Sequence, residues 1–183
     1  MSLTTVPNSM LTSDPTNASN LSSGTVAAAR MPVGSVIQTI FASTSSANAV
    51  NSTSLQASNL TGTITPQFSN SKILITYTIG MTAQSGRTAE VFQNRLYRSI
   101  SGGAAGFIGT ETCMYAFDAR NVGTEFGQTY VNCAYNYLDS PTTTGATTYV
   151  VYGKIVDQSG NAVSGDFLGF GGLATMVLQE IKQ

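Results

Sequence analysis

Between Ser71 and Met81 the chain reads SKILITYTIGM, with Ile73, Ile75, Tyr77 and Ile79 on alternate positions and Leu74, Thr76 and Thr78 between them. Successive side chains of an extended backbone point to opposite faces, so this spacing predicts a strand whose isoleucine face is buried. The same reading predicts strands over Val33–Ser43, Leu60–Pro66, Thr88–Ile100 and Phe107–Phe117, then over TYVNCAYNYL at Thr129–Leu138, and finally over Thr147–Val156 and Gly172–Ile181. In the TYVNCAYNYL run, Val131, Cys133, Tyr135 and Tyr137 share a side. On Phe107–Phe117 the shared side carries Phe107, Cys113, Tyr115 and Phe117, while Arg95 and Arg98 of the preceding run are expected to reach solvent.

Two of the runs are apolar on both faces. Thr147–Val156 sets Tyr149, Val151 and Ile155 against Val150, Tyr152 and Val156. Gly172–Ile181 sets Leu173, Val177 and Ile181 against Ala174, Met176 and Leu178. Such a strand must be covered twice, once by its own core and once by another body. The pattern therefore predicts a subunit interface, with Met176, Leu178, Val150 and Tyr152 as its candidate residues.

Between the runs lie short polar connectors. In YLDSPTTTG, Pro141 lacks an N–H and ends the strand near Asp139, while Gly145 restores freedom before the next strand begins. Connectors this short join antiparallel neighbours, since parallel strands need long crossovers. About eight strands so joined predict an all-β antiparallel sandwich or barrel with no helix longer than two turns. Residues 1–31 differ: Ser, Thr, Asn and Pro dominate, with too little apolar surface to offset the entropy of ordering. They are expected to form an extended attachment arm, ordered against a partner through Leu11, Asn20, Leu21 and Val26, ahead of a head domain at 32–183.

Within the arm, ASNLSSGTVAAARMP (Ala18–Pro32) resembles the ASNLxSGTVPxARxP segments of the slender trimeric parts of bacteriophage tail fibres, with Ala27 where those segments often carry Pro. Three stretches of the head, SKILITYTIG, YLDSPTTTGATTYVVYGKI and ATMVLQEI, resemble small β-rich domains of marine and cyanobacterial phage structural proteins. The resemblance implies a jelly roll of the tumour necrosis factor or complement globular-head type, usually trimeric, placed in a virion that assembles in the host cytoplasm. Its C-terminal strand is then expected near the threefold axis.

Composition narrows the function. Only 9% of residues are charged and the net charge is -1, with no run of Lys or Arg, so nothing marks a surface for nucleic acid or anionic lipid. No apolar run approaches the roughly 20 residues of a membrane-spanning helix. There is no histidine, which removes the commonest general base and metal ligand. Nine acids are scattered, Glu111, Asp118 and Glu125 being nearest to a cluster, and the chain is expected to be no enzyme and to hold no cofactor. Asp157, Ser159 and Asn161 have a loose calcium-loop spacing, but no Glu completes it and a turn explains them better. Asp139 is expected to hold its own turn by accepting backbone N–H bonds. The tyrosines at 130, 135, 137, 149 and 152 are read as core or interface rather than as a sugar-stacking platform. Cys113 and Cys133 lack CxxC spacing and are expected to be buried, unbridged thiols.

Two functions fit these expectations. One is a trimeric fibre or spike whose exposed loops, Ser101–Gly106 and Asp118–Glu125, touch a host cell-surface glycan or protein through Arg120, Asn121, Thr124 and Glu125. The other is a capsid decoration protein that clamps shell subunits through its arm, a reading the short chain without a long shaft favours. Both require contacts between the arm and other virion proteins.

Overall fold

The computed structural model describes residues 26–83, 90–117, 129–169 and 171–183, the side chains of 110–117 excepted. The chain divides into two compact units, Met1–Met31 and Pro32–Gln183. In the first, Ala28–Arg30 make a single 3-10 turn after Ala27, whose φ of -58° and ψ of 137° are those a proline adopts. No described segment of either unit is an α-helix.

The second unit is built from ten strands: β1 (Val36–Thr44), β2 (Asn48–Val50), β3 (Gln56–Ile64), β4 (Lys72–Ala83), β5 (Glu90–Ile100), β6 (Gly106–Phe117), β7 (Thr129–Asp139), β8 (Thr147–Asp157), β9 (Gly165–Phe167) and β10 (Ala174–Ile181). One sheet has β4 at its centre, flanked by β7 on one side and by β10 then β1 on the other; β9 pairs with the last residues of β4 and carries β2. The second sheet runs β3-β8-β5-β6. All pairs are antiparallel. Numbering only the eight long strands, the sheets read 1-8-3-6 and 2-7-4-5, the interleaved order of a jelly roll.

Alternation places the core as expected. Ile73, Ile75, Tyr77 and Ile79 of β4 meet Phe92 and Leu96 of β5 and Tyr149, Val151 and Ile155 of β8, all buried. Cys133 is a buried thiol in the same core. Two polar contacts are embedded there, since buried polar groups must find partners. The Tyr77 hydroxyl donates to Asn94 Oδ1 at 2.8 Å, joining the two sheets. Glu180, also buried, accepts the backbone N–H groups of Gln67 (2.8 Å) and Phe68 (3.2 Å) and the Gln38 amide (2.7 Å). Its carboxylate therefore anchors the β3–β4 turn.

Three features depart from the sequence pattern. The strands β2 and β9 fall in stretches read as connector, and at three residues each they are too short to show alternation. They exist because they pair with one another and with the end of β4. On β6 the register jumps from Cys113 opposite Asn94 to Ile108 opposite Leu96, so a bulge interrupts the alternation that grouped Phe107 with Cys113. Finally, Met176 and Leu178 lie wholly inside the core of a single chain. They have no surface to offer a neighbour, because the register of β10 against β4 turns Thr175, Val177, Gln179 and Ile181 outward instead.

Candidate functional site

On the outward face of the β3-β8-β5-β6 sheet, alternation leaves Val91, Gln93, Arg95 and Tyr97 of β5 beside Val150, Tyr152 and Lys154 of β8. Tyr97 is the hub. Its ring centroid is 4.1 Å from that of Tyr152 and 6.0 Å from that of Phe107, and the Arg95 guanidinium stands 4.9 Å above the Phe107 ring. Phe107 is 39% exposed, a large apolar ring left partly in water. The strip is thus a row of aromatic faces with one cation stacked on it.

Phe107 also borders a groove of about 300 Å³ under the β5–β6 hairpin, whose other lining residues are Arg98, Ile100, Gly103, Ala104, Gly106 and Ile108. Arg98 occupies an inward position of β5 and does not run out to solvent as expected. Its Nη1 donates to both carboxylate oxygens of Asp139 at 2.8 Å, and the side chain keeps only 25% of its exposure. Asp139 Oδ2 also accepts the Tyr149 hydroxyl at 2.8 Å. The aspartate of YLDSP therefore ties β7 of one sheet to β5 and β8 of the other. The reason is parity: Asp139 lies on the same face of β7 as Cys133, Tyr135 and Tyr137, toward the core. Around it Ser101 N–H donates to the Ala146 carbonyl (2.7 Å), joining the two loops at this end of the sandwich, while Thr142 in the connector takes a left-handed φ of 53°.

Burial, followed by the adjacent Asp139 carboxylate and its hydrogen bond, raises the Tyr149 phenol far above its ordinary value of 10.0. A folded-state value above the unfolded one means that the stabilisation is complete below about pH 10 and declines as the pH rises beyond it. We expect urea midpoints to fall between about pH 10 and pH 11 in the parent and to fall less in Tyr149→Phe. Equal slopes for the two proteins would remove Tyr149 from the network.

The remaining sequence candidates separate. Val150 and Tyr152 lie on the aromatic face, on the opposite side of the sandwich from the outward residues of β10, so the four proposed interface residues form no single surface. Arg120, Asn121, Thr124 and Glu125 lie outside the described residues, as do Leu11, Asn20 and Leu21; Val26 is exposed in the N-terminal unit. Ser101–Gly106 leads into β6, while Asp118–Glu125 lies outside the described residues. Tyr149 is core, Tyr135 and Tyr137 are half-buried against it, and only Tyr130 and Tyr152 of the five tyrosines point outward. Asp157 behaves as a turn residue: Oδ1 accepts the N–H groups of Ser159 and Asn161, both at 2.8 Å, and Oδ2 the Asn161 amide at 2.9 Å. Those bonds hold its carboxyl below the usual range. Among the described residues no three His, Cys, Asp or Glu side chains cluster as metal ligands.

No family model and no curated protein matches the chain. Solved structures do. One is a structure of the Gx strain of infectious bursal disease virus, with 14% identity and a TM-score of 0.37 over 80% of this chain and 38% of the other. Another is the VP2 subviral particle of infectious bursal disease virus, with 13% identity and a TM-score of 0.39 over 81% of this chain and 38% of the other. The chain spans a little over a third of each of those chains. Arg98, Phe107 and Tyr97 were not singled out as site residues from the sequence, although parity with Phe92 and Leu96 already puts Arg98 on the inner face of β5.

Proposed function

We propose that the protein is a non-enzymatic structural component of a bacteriophage virion, a homotrimeric head of fibre or spike type that contacts the host surface and is held to the particle by its N-terminal arm. One observation carries this reading: the outward face of the β1-β10-β4-β7 sheet, otherwise lined by Thr, Asn and Gln, also presents large apolar side chains in register with one another. Phe41 is 63% exposed and Leu138 49%, with Val177, Ile181 and Leu74 half-buried between them. In register, Phe41 faces Val177 across β1 and β10, and Leu74 faces Leu138 across β4 and β7. A second copy of this chain is the natural cover, because the resemblance of the head to trimeric phage domains and of the arm to trimeric fibre segments supplies the symmetry. Jelly rolls serve many functions, so the assignment rests on this face and those segments rather than on the fold.

Replacing Phe41 and Val177 together by Lys places two charges in that interface. Light scattering is expected to give a trimer for the parent and a monomer for the double variant, with an unchanged circular dichroism spectrum. A monomeric parent would refute the interface. Gold-labelled antibody on intact particles then locates the protein: label at the tail or on projecting spikes agrees with the proposal, whereas label spread evenly over the shell would make it a decoration protein.

A further inference from the structure

We propose that the groove beneath the β5–β6 hairpin binds a sugar ring that carries a carboxylate, a uronate or sialate unit of a surface polysaccharide. The inference rests on the attachment reading for its biological setting but stands on its own geometry. Arg98 is the first element. Asp139 engages its Nη1 with both oxygens at 2.8 Å, and Tyr149 holds the same carboxylate from the far side. The guanidinium is therefore fixed in orientation before any ligand arrives, while Nε and Nη2 are left outside that bond on a side chain that lines the groove and is 25% exposed. Arginine stays charged at any ordinary pH and matches a carboxylate with parallel N–H donors, so a preset guanidinium selects a planar anion at little entropic cost.

The second element is the apolar wall. Ile100, Ile108 and Phe107 line the groove, and from Phe107 the ring faces continue through Tyr97 to Tyr152. The C–H groups on one face of a pyranose suit the negative face of an aromatic ring, whereas its hydroxyl rim tolerates water. A volume of about 300 Å³ accommodates a small ring, and the aromatic strip gives neighbouring sugars of a chain somewhere to lie. The third element is the absence of side chains where the loop crosses: a Cβ on Gly106 would meet nothing within 4 Å. Arg95 over Phe107 adds a second cation, stacked on the ring that borders the groove.

The test uses the full chain on immobilised alginate, polysialic acid, dextran and polyglutamate. Binding to alginate, to polysialic acid or to both is expected, the pattern telling uronate from sialate, with dextran and polyglutamate at least about tenfold weaker. Gly106→Leu places a side chain in the groove, opposite Arg98 across β5 and β6, and should lower binding about tenfold while the fold is kept, as an unchanged circular dichroism spectrum would show. Arg98→Lys keeps the charge but loses the fork and should weaken binding as well. Binding to dextran or polyglutamate equal to that of the acidic sugars, or Gly106→Leu binding like the parent, overturns the proposal. Competition by the isolated protein against virus adsorption separates the two readings. Blocked adsorption without acidic-sugar binding overturns the groove and leaves attachment standing; sugar binding that Gly106→Leu abolishes, without blocked adsorption, supports the groove and removes attachment.

Discussion

Replacing Gly165 by alanine is expected to destabilise the head domain by about 3 kcal/mol or more, among the largest effects of any single methyl group in the chain. Gly165 sits on β9 between Ala83 of β4 and Val50 of β2. A Cβ there would fall against the carbonyl oxygen of Thr82, well inside van der Waals contact, and 2.5 Å from Ile155 Cδ1. A side-chain tip can move aside, but the Thr82 carbonyl belongs to the central strand. Relief therefore requires separating β9 from β4, which releases β2 with it. Thermal melts should show a fall on the order of 10 °C. Gly106→Ala is the control, since its Cβ meets open space, and it should lie within about 0.5 kcal/mol of the parent. Similar melting temperatures for the two variants would mean that β9 is not held against β4 as described.

Arg98→Met is expected to cost about 3 kcal/mol, because it leaves Asp139 in the core with its charge and without its ionic partner. The lower end of the usual range for a broken buried pair applies, since Arg98 is a quarter exposed and water can reach part of the site. Asp139→Asn should be milder: the amide oxygen still accepts from Tyr149 and Arg98 can turn toward solvent. The double variant removes both charges and should recover stability relative to Arg98→Met. A double-mutant cycle by urea unfolding is the measurement, with a coupling above about 1 kcal/mol expected. Additivity within about 0.5 kcal/mol would show that the two residues do not act as a pair. The same cycle informs the groove, because the guanidinium is an oriented donor only while Asp139 holds it.

Much of this arrangement is legible in the residues. Period-two alternation gave the inner faces of β4, β7 and β8, and the antiparallel sandwich follows from turns too short for crossovers. The turn at Asp157 is likewise local, since its bonds go to residues two and four positions on. Parity also carried more than was taken from it. Arg98 shares a face with Phe92 and Leu96, and Asp139 with Cys133, so each was an ionisable residue on a buried face near a strand end, which ordinarily signals a partner.

What alternation does not say is which partner. Choosing Asp139 for Arg98 requires knowing that β5 and β7 lie in opposite sheets and that Ile100 and Asp139 mark the same end of the sandwich, which strand order alone fixes. Likewise β2 and β9 have no strand signal of their own and arise only because β4 runs past β10 and leaves an edge to pair with. Which face of β10 goes inward is another case: both faces are apolar, so the sequence requires two covers without ranking them, and the register with β4 sends Met176 and Leu178 inward and Val177 and Ile181 outward. Local sequence determines the period of a strand because that period is set by bonds along the chain, whereas partner and face depend on contacts between residues far apart in it, whose energies exist only once both sheets have formed.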